Sequence, residues 1–166
     1  MGHVVMNNIE ITYLGIQVAA KELNIPLPEI YIIDENSLGN KEITGTYSFK
    51  DNSIIFNEDW VNRREWIEVI ITSFHEMRHA YQGYCIRTRT RESEETIKKW
   101  EYEINNYIMP SGTNNEIDDS NYLKQEIEVD AIEFAHWLVK KEFNVKTVIP
   151  ELVKFEVELS LIKLGI

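Results

Sequence analysis

Apolar positions along the chain alternate between a helical and a strand period, and the changes of period delimit its elements. Residues 9–23 carry Ile9, Leu14, Ile16, Val18, Ala19 and Leu23 at loosely helical spacing. Two prolines within residues 24–28 end that helix. The short β-branched run Ile30-Tyr31-Ile32-Ile33 reads as a strand, followed by a polar turn region over residues 34–41. Residues 43–49 and 53–56 read as two further strands, joined at Lys50-Asp51-Asn52 as a hairpin. From Trp60 the period becomes helical. Trp66, Ile67, Ile70, Ile71 and Phe74 recur at spacings of three and four, the pattern runs through Ala80, and Gly83 is the expected stop.

Residues 92–108 form a charged amphipathic helix candidate, and residues 110–115, with Pro110, Ser111, Gly112, Asn114 and Asn115, break it. A long helix is expected over residues 122–143, with Ile127, Ala131, Phe134, Ala135 and Leu138 on one stripe. Pro150 opens a final helix that offers Leu152, Phe155, Leu159 and residues 161–164 for packing. A helix, then strands, then helices predicts an α+β fold with a small antiparallel-containing sheet at one end. The length, 166 residues, predicts a single domain over residues 1–166.

Composition narrows the function classes. With 17 Lys and Arg against 28 Asp and Glu the net charge is −11, which repels phosphate backbones and anionic lipid. No nucleic-acid or membrane partner is expected. The basic run Arg87-Thr88-Arg89-Thr90-Arg91 reads as a solvated helix end. The lone Cys85 excludes an intramolecular disulfide and a cysteine-based structural zinc site, and reads as a buried thiol. There is no signal-like N-terminus and no apolar run long enough to span a bilayer. Met6 stands where myristoylation of Gly2 needs Ser or Thr. A cytoplasmic location is expected from these features.

The segment that carries chemistry is Phe74-His75-Glu76-Met77-Arg78-His79-Ala80-Tyr81-Gln82. Residues i and i+4 of a helix lie one above the other, so His75 and His79 can converge on one Zn2+ ion. Glu76 is placed to act as general base on a water whose pKa the metal lowers. A third ligand is needed. His3 lies near the terminus, and His136 is too far along its helix from the acidic candidates and reads as a hydrogen-bonded structural residue. Glu128 shares an apolar, small face with Ala131, Ile132 and Ala135, where a carboxylate is costly unless paired or metal-bound. Glu126, on the wetter face with Val129, Asp130, Glu133 and Trp137, is the competing ligand, with Asp130 one turn on to support it. Burial favours Glu128.

The histidine motif, followed by Glu128, Ala131, Phe134 and Ala135, resembles the gluzincin arrangement and the small bacterial and phage ImmA/IrrE-like peptidases. The likeness spans residues 43–138 and departs from that group at Ile132, where it usually has Asn. It implies a zincin-like fold and a zinc metallopeptidase with metal ligands His75, His79 and Glu128 and the base Glu76. It also implies a restricted protein or peptide substrate, bound by strand addition along residues 53–57 at a sheet edge. Tyr81 and Tyr122 are oxyanion-donor candidates for which aromatic packing is the competing role. Two other functions fit the chain less well: a zinc-stabilised protein-binding module without turnover, which has no need of Glu76, and a metal-free helical interaction protein.

Overall fold

The computed structural model describes residues 6–113 and 115–165. Gly2, His3 and Asn114, which the sequence reading touches, lie outside these. The fold is α+β, and the chain divides between Ala80 and Tyr81 into two compact units.

In the first unit, α1 (Asn8–Leu23) begins at a capping box. The Asn7 side chain accepts from Glu10 N at 2.9 Å, and Glu10 Oε2 accepts from Asn7 N at 2.8 Å. The helix stops where Asn24 turns left-handed at φ 51°. Strand β1 (Glu29–Ile33), the short helix α2 (Glu35–Leu38), the strands β2 (Gly45–Ser48) and β3 (Ser53–Asn57), and helix α3 (Glu58–Arg63) follow. The polar stretch after β1 thus contains a helical turn, nucleated by Asp34, whose carboxylate caps Asn36 N and Ser37 N. Those caps and the Ser37 hydroxyl, the largest contributor, hold the Asp34 carboxyl below its ordinary range.

The sheet is mixed, in the order β1-β3-β2, with β1 parallel and β2 antiparallel to β3. This corrects the expectation that residues 53–57 are an edge. β3 is the central strand, Ile54 and Phe56 are fully buried, and both rows of backbone groups serve neighbouring strands. The sequence hides this because the parallel partner β1 comes from beyond the hairpin.

Helix α4 (Trp66–Thr88) is one continuous helix that starts in the first unit and ends in the second. It is separated from α3 by the extended Arg64, so the helical period that begins at Trp60 belongs to two helices. Its core face buries Val69, Ile70, Phe74, Met77 and Cys85. α1 comes close to it, since a Cβ on Gly15 would sit 2.8 Å from Ser73 Cβ. Gly83 does not end α4. It is buried inside the helix, and the helix stops six residues later at Arg89, left-handed at φ 55°. Arg89 pairs with Glu101 at 2.7 Å, and the Arg91 guanidinium lies 5.0 Å from the Tyr84 ring centre, so the basic run is partly neutralised.

In the second unit, α5 (Glu94–Asn105), α6 (Ser120–Leu123), α7 (Glu126–Phe143) and α8 (Glu151–Lys163) complete the chain. The long helix expected over residues 122–143 is two helices. Gln125 is extended (ψ 134°), and its side-chain amide pairs with Ile108 N and O at 2.9 and 3.0 Å, which holds it out of the helix. On α8 the packing residues are Val153 and Val157, with Leu161 partly buried, in a cluster with Leu123, Ile132 and Ile149. Leu152, Phe155, Leu159 and Leu164, expected inside, are exposed. Among the described residues no helix is long and apolar enough to cross a membrane.

Candidate metal centre

His75 and His79 lie on successive turns of α4. Their Nε2 atoms are 3.0 Å apart, and the rings meet nearly edge to face at 85°. Two ligands held tetrahedrally at zinc–nitrogen distances near 2.05 Å stand about 3.3 Å apart, so the two nitrogens already stand close to the spacing that a shared ion requires. The Phe49 ring, from the turn between β2 and β3, meets His79 on edge at 6.1 Å between centres. Glu76 is nearly buried on the same helix. Strand β2 approaches it closely, because a Cβ on Gly45 would lie 3.2 Å from Glu76 Cγ and 3.0 Å from Thr72 Cγ2. A side chain at position 45 would crowd the glutamate stem and force its neighbours to shift.

The first turn of α7 is fixed by side chains from several segments of the second unit. Glu103 of α5 caps it, accepting Glu126 N at 3.0 Å and Ile127 N at 2.8 Å, a task that Gln125 at the N-cap does not perform. The Tyr107 hydroxyl donates to Glu128 Oε1 at 2.6 Å. The amide of Gln82, a fully buried residue of α4, donates to Ile127 O at 2.9 Å and to Asp130 Oδ2 at 2.7 Å.

The two candidate carboxylates separate cleanly. Glu128 is 0% exposed. Glu126 is exposed and paired with Lys99 of α5, and Asp130 is held by Gln82. Among the described residues the His, Cys, Asp and Glu donors that come together are those of His75, His79 and Glu128, all within 4.8 Å of one another, a group that could hold a metal ion. Two nitrogens and one carboxylate oxygen suit a borderline-soft divalent cation, and a carboxylate buried at this depth needs such a partner or an equivalent pairing.

The remaining named residues are elsewhere engaged. Tyr81 donates to Glu92 Oε1 at 2.7 Å, and burial, then that hydrogen bond, pushes its hydroxyl well above the ordinary tyrosine range. Tyr122 meets Tyr107 edge to face at 6.2 Å between ring centres. Buried His136 pairs through Nδ1 with the Thr147 hydroxyl, and Cys85 is a buried free thiol. Sequence reasoning assigned no role to Gln82, Tyr107 or Gly45. For Gln82 a signal exists: positions 75, 79 and 82 share one helix face. Tyr107 and Gly45 owe their positions to tertiary contacts, which no local pattern records.

No family model, curated protein or solved structure matches the chain.

Proposed function

We propose that this protein is a zinc-dependent metallopeptidase of the gluzincin type, built on a zincin-like fold and similar to the small ImmA/IrrE-like peptidases. It would act in the cytoplasm on a restricted protein or peptide substrate. The observation that carries this reading is the meeting of the His75, His79 and Glu128 donor atoms within 4.8 Å, next to a glutamate one residue after the first histidine.

His75, His79 and Glu128 would hold Zn2+, which when bound lowers the pKa of water to about 7 and polarises a carbonyl. Glu76 takes a proton from the attacking water as its oxygen bonds to the scissile carbonyl carbon. As the carbon–nitrogen bond breaks, Glu76 passes that proton to the leaving amine. An extended substrate would add at the edge strand β2, whose Gly45 abuts Glu76, and not at the central β3.

The test uses zinc-loaded protein and a library of fluorescence-quenched peptides. Wild type is expected to cleave a subset of the library. Glu76→Gln is expected to retain its zinc and to cleave about 10²–10⁴-fold more slowly. Equal cleavage by the two proteins contradicts the assignment. Zinc-loaded wild type that cleaves nothing points instead to a protein-binding module.

A further inference from the structure

We infer that Gln82 is a positioning residue for the metal centre, acting with Asp130 to set where Glu128 stands. This rests on the proposed metal site. Gln82 lies three residues past His79 on the same unbroken helix, so its placement relative to both histidines is fixed by helix geometry. Its two amide hydrogens serve Ile127 O and Asp130 Oδ2, which lie on either side of Glu128 along the start of α7. One side chain thus grips the turn on either side of the buried carboxylate. The amide ties the helix that carries the histidines to the turn that carries the third donor.

The chemistry selects the residue. Both partners are acceptors, one a backbone carbonyl and one a carboxylate, so a group with two hydrogens is required. An isosteric glutamate would point carboxylate oxygens at two acceptors, and an asparagine is one methylene shorter. Gln82 is fully buried, so an amide hydrogen that loses its partner is not readily satisfied by water. Partners lying behind metal ligands typically govern about 10–100-fold in metal affinity.

Zinc affinity is measured by competition with a chelating dye for wild type, Gln82→Met, Gln82→Glu and Asp130→Asn. Circular dichroism and thermal midpoints of the metal-free proteins are recorded alongside. Gln82→Met and Gln82→Glu are expected to bind zinc about 10–100-fold more weakly while keeping wild-type helicity. Asp130→Asn, which still presents an acceptor oxygen to the amide, is expected to keep wild-type affinity. The visible spectrum of the cobalt form should change in both Gln82 variants and not in Asp130→Asn. If the Gln82 variants only melt earlier and bind zinc as tightly as wild type below their midpoints, the pair is merely structural and the inference fails alone. Should Gln82→Met not fold, Gln82→Glu and Asp130→Leu decide by the same affinity criterion. Wild type that takes up no zinc overturns the metal site and this inference together.

Discussion

The two ends of α7 bury polar groups in different ways. At the N-terminal end, Glu128 is fully buried and its turn is gripped by Gln82, Tyr107 and Glu103, side chains from three other segments. At the C-terminal half, His136 is buried as well, but its Nδ1 is answered by one hydroxyl, Thr147. It lines a cavity of about 430 Å³ together with Lys140, Lys146 and Glu158. The second arrangement ties one imidazole to a neighbouring hydroxyl, and among the described residues it belongs to no group of metal donors. The first spends many hydrogen bonds on orienting a carboxylate whose donor atom meets two imidazoles. Burial of a polar side chain marks a candidate site only when its partners hold it in one direction and further donors converge on it.

The comparison breaks or sharpens at defined positions. The largest effect after the loss of turnover in Glu76→Gln is expected from Glu128→Ala, which should weaken zinc binding by at least about 10²-fold, while Glu126→Ala leaves it unchanged, as isothermal titration would read. Equal losses in the two variants would erase the distinction between the buried and the Lys99-paired carboxylate. Tyr107→Phe should come next. Loss of its hydroxyl removes the hydrogen bond to Glu128 Oε1 and is expected to cost about tenfold in zinc affinity with little change in fold, measured by the same titration. At the far end of the helix, His136→Ala is expected to cost about 1–3 kcal/mol of stability in urea unfolding and nothing in zinc affinity. A loss of zinc there would show that the two ends are not separate.

Much of this was legible in the sequence because it is local. The spacing of His75 and His79 follows from helix geometry alone, and the solvation cost of a carboxylate on the face of Ala131 and Ala135 singled out Glu128. The hairpin of residues 43–56 and the helix opened by Pro150 also followed from local chemistry. What escaped depends on distant partners. The apolar stripe runs through residues 122–143 without a gap, so only the pairing of Gln125 with Ile108 reveals the break. Gly83 carries a stop signal that burial overrides. The central place of β3 depends on a parallel partner whose paired residues lie 24 positions upstream, Glu29 opposite Ser53. On α8, Val153 and Val157 outcompete the larger Phe155 for the interior, a choice that only the neighbouring helices make.

The central claim is that this chain holds a divalent cation between two imidazoles and a buried carboxylate. It is tested most directly by elemental analysis of protein dialysed against trace zinc, wild type beside a His75→Ala/His79→Ala double variant. The account predicts one zinc per chain in wild type and close to none in the variant. No zinc in wild type, or equal zinc in both, would contradict it.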